Sequence, residues 1–62
     1  MIIQIKVNQF NYYVKKEVTN KGNCIGYTLA GLMDNATEFD EEINAKTFCN
    51  IWKIKNYELI FK

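Results

Sequence analysis

Residues 3–14, Ile-Gln-Ile-Lys-Val-Asn-Gln-Phe-Asn-Tyr-Tyr-Val, decide the fold of this 62-residue chain. Apolar and polar side chains alternate on both sides of Asn8-Gln9, and a period of two is typical of half-buried β-strands. A two-residue turn at Asn8-Gln9 sets three apolar pairs opposite one another: Val7 and Phe10, Ile5 and Tyr12, and Ile3 and Val14. All six side chains then lie on one face, so the segment predicts a hairpin that covers a core.

The next thirty residues predict two more strands. Residues 19–23 have the composition of a loop, and residues 24–30 alternate as a third strand. Asp34-Asn35 predicts a turn. Residues 36–43 alternate again, which predicts a fourth strand with Phe39 and Ile43 facing inward.

The apolar period then changes to that of a helix. Ala45, Phe48, Cys49 and Trp52 fall at positions i, i+3, i+4 and i+7, and Asn44 is a favourable N-cap. The pattern predicts a short helix near residues 44–53, followed by a strand over residues 57–61. The alternative is one long helix capped by Thr37, but that helix would place Glu41 in the middle of its apolar face.

Together these segments predict a single small α+β domain over residues 1–62. The expected order is β-β-β-β-α-β, with four to five strands in an antiparallel sheet. Small SH3-like barrels have the same element order, and an open sheet with the helix across one face fits the pattern equally well.

Composition argues against an enzyme. The chain contains no His and no Arg, so it lacks the usual general base, the commonest metal ligand and the side chain best suited to bidentate phosphate recognition. A domain of this size has little room for a ligand pocket, since drug-sized pockets need about 300 Å³ or more. Nucleotide-binding and zinc-protease motifs are absent from the sequence, and we expect no catalytic residue, metal or cofactor.

Cysteine usage and hydropathy predict a cytoplasmic protein. Cys24 and Cys49 could form one bridge, but the sequence shows no leader segment, so we expect two reduced and buried cysteines. No apolar run exceeds three residues, as at 59–61, and we expect no contact with a membrane.

Five carboxylates fall within residues 31–44, where there is no basic residue. On a strand over residues 36–43, Glu38, Asp40 and Glu42 would project from one face about 6.5–7 Å apart, which resembles the spacing of nucleic-acid phosphates. Together with Glu41 they form a candidate site for a larger protein with a basic surface patch. The small size, the missing catalytic side chains and a composition rich in Ile, Lys and Asn favour an inhibitor or adaptor of the kind encoded by phages and mobile elements.

Two other functions are consistent with the sequence. A nucleic-acid-binding module, SH3-like or cold-shock-like, would use a surface in which an aromatic ring is interleaved with lysines: Lys6, Tyr13, Lys15 and Lys16. The net charge of +1 gives such a module little general attraction to nucleic acid. The third hypothesis is a structural subunit of a homo-oligomer, for example a homodimer that buries an edge strand.

Overall fold

The computed structural model describes residues 1–61 and consists of one antiparallel sheet, one α-helix and one 3-10 turn. The strands are β1 (Ile2–Val7), β2 (Phe10–Val18), β3 (Cys24–Ala30) and β4 (Tyr57–Ile60), the 3-10 turn is Met33–Asn35, and the helix α1 is Glu42–Ile51. The sheet order is β3-β2-β1-β4. The predicted α+β class, with a small antiparallel sheet and one short helix, is confirmed. Within residues 1–61 no pairing joins β3 to β4, so the sheet is open and the barrel alternative is wrong.

The β1–β2 hairpin has the predicted turn and register. Val7 pairs with Phe10 and Ile5 with Tyr12. Asn8 and Gln9 both have positive φ, at 50° and 74°, as a tight turn between right-twisted strands requires. The turn forms without glycine, and asparagine at position 8 readily adopts the positive φ that the turn needs.

The structure replaces the predicted fourth strand with a connector, which we define as residues 36–41. Pairing between β1 and β2 ends at Gln4 and Tyr13. Beyond that point the Thr37 N–H donates to the Val14 carbonyl at 3.0 Å, and the Phe39 N–H donates to the Met1 carbonyl at 2.7 Å. These two main-chain hydrogen bonds hold the connector between the diverging ends of β1 and β2. The long helix from Thr37 is wrong for the same reason.

Thr37 also ties the connector to β2 through its side chain, because the Lys16 N–H donates to Thr37 Oγ1 at 2.7 Å. Replacing Thr37 with valine keeps the shape and leaves that part-buried N–H without its acceptor. We expect a loss of about 1–3 kcal/mol in the free energy of unfolding, measured by urea titration. Thr47→Val, at an exposed helix position, is the control and should change it by less than about 0.5 kcal/mol. Equal losses would show that the Thr37 hydroxyl does not hold the connector.

Helix α1 begins and ends about two residues earlier than predicted. Glu41, in an extended conformation, is its N-cap, so Asn44 lies inside the helix. Starting at Glu42 leaves Glu41 outside the apolar face, which removes the conflict in the sequence pattern. At the other end, Lys53 has a φ of 56° and the Ile54 N–H donates to the Cys49 carbonyl at 2.8 Å, which is a Schellman ending.

The core lies between α1 and the face of the sheet that it covers, which we call the helix face. Its buried members are Ile3, Val14, Phe39, Ala45, Phe48, Cys49 and Ile54. Val7 and Phe10 share this face but are exposed, contrary to the expectation that the whole hairpin covers the core. The reason is length, since a ten-residue helix extends only about 15 Å. Among the residues described, no helix has the length and apolar character needed to cross a lipid bilayer.

Candidate functional site

The four carboxylates of the candidate site cluster around the start of α1. We call them the acidic segment: Glu38, Asp40, Glu41 and Glu42. Because residues 36–41 form a connector instead of a strand, the even ladder expected from the sequence does not form, and the likeness to phosphate spacing is lost. All four residues are nevertheless exposed.

Two members of the acidic segment have ionic partners and help to hold the local structure. Glu38 Oε1 lies 3.6 Å from the Met1 amino group, and Glu42 Oε2 lies 3.7 Å from Lys46 Nζ one helical turn later. Both side chains of the second pair are more than half exposed, so this pair adds little stability. Glu42 in the first turn also interacts favourably with the helix dipole. Asp40 and Glu41 lie between these two pairs.

An open cleft of about 330 Å³ lies beside the acidic segment, between α1 and β2. It is lined by Lys16, Glu38, Phe39, Asp40, Asn44, Thr47, Phe48 and Ile51. The buried rings of Phe39 and Phe48 form its floor, with centroids 5.5 Å apart. The cleft therefore combines an apolar floor with two carboxylates at its edge.

Lys16 gives the cleft a cation of its own. Its Nζ lies 5.1 Å from the centroid of the Phe39 ring and 6.0 Å from that of Phe48. Contacts of this type contribute roughly 0.5–1 kcal/mol at exposed sites. Glu38, Asp40 and Lys16 leave the lining with one net negative charge, so a cation from a partner would still be attracted to it.

The side of α1 that faces away from the core carries two exposed isoleucines. Ile43, Thr47 and Ile51 are spaced four residues apart and lie along one line of the helix. The exposed fraction is 63% for Ile43 and 65% for Ile51. Ile43 was expected inside the core, but the helix starts early enough to place it outside. Ile51 borders the cleft, so the cleft and an exposed apolar side chain form one continuous surface.

The alternative nucleic-acid surface is divided between the two faces of the sheet. Since Gln4 pairs with Tyr13, alternation places Lys6, Tyr13 and Lys15 on the face opposite α1. Lys16 points to the helix face, where it contacts the two phenylalanine rings. Glu17 and Glu58 share the opposite face with the other three residues. The structure thus brings three of the four predicted residues together, interspersed with acidic side chains.

The two cysteines differ in exposure, and both are free. Cys49 is buried in the core as expected, whereas Cys24 is exposed at the start of β3, so the expectation that both are buried is wrong for Cys24. Burial raises the pKa of the Cys49 thiol above its ordinary value of 9.0, and a hydrogen bond with Tyr57 opposes that rise in part. A protonated, buried thiol is a poor nucleophile, which fits a packing role for Cys49.

Sequence reasoning missed the cleft and most of its lining. Asn44 was expected to cap the helix, no role was predicted for Thr47, and nothing in the pattern linked Lys16 to Phe39, 23 positions later. Over residues 1–61, no three His, Cys, Asp or Glu side chains come together in a way that could hold a metal ion.

The chain matches no protein-family model, and no curated protein or solved structure is significantly similar to it.

Proposed function

We propose that this chain is a small, non-enzymatic protein–protein interaction module that binds a basic surface of a larger protein through the acidic segment and the adjoining cleft. The observation that carries the proposal is the position of exposed carboxylates beside an open cleft with an aromatic floor. An inhibitor or adaptor of the kind encoded by phages and mobile elements, acting in the cytoplasm, is the form that we favour.

The shape of the cleft supports a protein partner. It is open on the helix face, and its volume of about 330 Å³ is near the lower limit for a drug-sized ligand. An apolar side chain projecting from a partner could contact Phe39, Phe48 and Ile51 there. A few apolar anchors with a polar rim are the usual organisation of a protein–protein interface.

The charges support the basic character of that partner. Asp40 and Glu41 are exposed, and the two ion pairs described above involve their neighbours Glu38 and Glu42. Opposite charges at the rim of an interface mainly increase the rate of association and select the partner. Such attraction is screened over about 8–10 Å at physiological ionic strength, so binding should depend on salt.

The experiment compares two variants that each lose two carboxylates, one variant from the acidic segment and the other from the face of the sheet opposite α1. A tagged chain is used to isolate the partner, which is then purified, and its affinity is measured by fluorescence anisotropy at low and high salt. Asp40→Asn with Glu41→Gln should weaken binding about tenfold at low salt, because each exposed ion pair contributes up to about 1 kcal/mol. The loss should shrink at high salt.

The control variant, Glu17→Gln with Glu58→Gln, removes two carboxylates from the opposite face of the sheet. We expect it to bind the partner nearly as tightly as the unmodified chain. Equal weakening by both variants would contradict the proposed site. Isolation of nucleic acid in place of a protein, with affinity that falls steeply as salt rises, would favour the second hypothesis.

A further inference from the structure

Strand β3 forms an edge of the sheet, and over residues 26–30 it carries none of the usual protection against pairing. It is seven residues long, and its sequence, CIGYTLA, contains no charged residue and no proline. The other edge strand, β4, has four residues, one of which is Glu58. Natural sheets commonly protect their edges with charge, proline or short strands. By these criteria β4 is protected and β3 is not.

The hydrogen-bond pattern shows which main-chain groups β3 presents at this edge. The Lys16 N–H and the Val14 carbonyl point toward the connector. Successive residues of a strand direct their main-chain groups to opposite sides, so Tyr13 and Lys15 of β2 direct theirs toward β3. Lys15 pairs with Thr28 and Tyr13 with Ala30. The intervening residues, Tyr27 and Leu29, therefore direct their N–H and carbonyl groups away from the sheet.

The side chains of Tyr27 and Leu29 lie on the helix face and are partly exposed, at 37% and 42%. The Tyr27 ring is held edge-on against Phe48 and Trp52, with centroid distances of 6.2 and 6.5 Å. An aromatic side chain held in place by its own core loses little freedom when it contacts a partner. The edge therefore offers a partner strand both outward-pointing main-chain groups and partly exposed apolar side chains.

We propose that a second copy of this chain pairs with β3, antiparallel and across a two-fold axis at Thr28, to form a homodimer with one continuous eight-stranded sheet. Tyr27 then lies opposite Leu29 of the second copy, and each such pair exchanges two main-chain hydrogen bonds, which makes four in all. The register between β2 and β3 shifts between Gly26 and Cys24, which lies just outside the five residues of β3 that pair, 26–30.

The charges near the axis do not oppose a second copy as the occupant. On the face opposite α1, Lys15 lies beside Thr28, and Glu17 Oε1 accepts a hydrogen bond from Thr28 Oγ1 at 3.0 Å. On this face each copy brings one positive and one negative side chain, so the two copies meet there without net repulsion. Because a two-fold axis uses the same strand in both copies, the assembly closes at the dimer. None of the acidic segment takes part, so the dimer does not rest on the proposed function.

The first test is sedimentation equilibrium of the whole chain from low concentration up to about 1 mM, where even a Kd of about 1 mM is detectable. We expect the mass to rise with concentration from 7.3 kDa toward twice that value and not beyond it. Leu29→Lys, which puts a charge on the exposed edge, should remain at the monomer mass with an unchanged circular dichroism spectrum. A wild-type chain that stays monomeric throughout, or whose mass rises above twice 7.3 kDa, would overturn the homodimer. A chain that stays monomeric by itself and pairs β3 only with a strand of another protein would also overturn it.

The second test locates the axis and does not depend on Leu29→Lys folding. In a background with Cys24→Ser, Thr28→Cys places two thiols at a non-hydrogen-bonded pair, where Cα atoms lie about 4.5 Å apart and a disulfide can form. Mild oxidation should link this variant as a dimer far faster than the control Glu58→Cys on β4. Equal rates of linkage for the two variants would refute an axis at Thr28.

Discussion

Replacing Phe48 with alanine is expected to lower the free energy of unfolding by about 3–5 kcal/mol. Phe48 is only 7% exposed, and its ring contacts the rings of Phe39, Tyr27 and Trp52. A domain of this length has a total stability of roughly 3–9 kcal/mol, at 0.05–0.15 kcal/mol per residue. The variant should therefore be largely unfolded, or close to it, at 25 °C, as measured by circular dichroism and urea titration.

Phe10→Ala is the matched control, because it removes the same atoms from a side chain that is 67% exposed. Phe10 pairs with Val7 at the end of the hairpin, beyond the reach of α1. Its loss should cost less than about 1 kcal/mol, the usual size of a cross-strand contact. If the two variants lost similar stability, the end of the hairpin would have to be part of the core, contrary to the observed packing.

The two thiols should differ in reactivity by at least about a hundredfold. Cys24 is exposed and should react with a thiol reagent at the rate of an ordinary cysteine. Cys49 is buried, and burial raises the pKa of its thiol, so reaction requires opening of the core. With about 3 kcal/mol or more against opening, fewer than roughly one molecule in a hundred is accessible at any time.

Reaction with Ellman's reagent at pH 8 should therefore release one equivalent of product quickly and the second slowly. Cys24→Ser should abolish the fast phase and leave the slow one. In urea above the unfolding midpoint both thiols should react together. Two fast equivalents in the folded protein would contradict the placement of Cys49 in the core, and no reaction at all would indicate that the two cysteines are bridged.

Sequence patterns singled out the acidic segment of the candidate site but predicted neither its arrangement nor most of the cleft beside it. Glu38, Asp40 and Glu42 alternate with Phe39 and Ile43 as they would on a strand. The tertiary structure treats these two apolar residues differently: Phe39 lies in the core, whereas Ile43 is exposed on α1. An alternating pattern in a short acidic segment does not distinguish a paired strand from a connector with one buried side chain.

The position of Lys16 depends on contacts that no local pattern contains. Its place on β2 was predictable, but the rings beneath its amino group come from the connector and from α1. The cleft exists because these three elements meet. Likewise, the burial of Ile54 follows from the Schellman ending of α1, since the hydrogen bond to Cys49 turns the chain back toward the core.

By itself the sequence determined the β1–β2 hairpin with its turn, the extent of β3 and the approximate extent of α1. These features depend on side-chain alternation and turn residues within about a dozen positions, so local physical chemistry is sufficient for them. Only the tertiary structure decided that the connector lies between the ends of β1 and β2, that β4 pairs with β1, and that β3 is left as an unprotected edge. Each of these outcomes depends on hydrogen bonds and packing between residues far apart in the chain, whose relative positions are set by the way the whole core fits together.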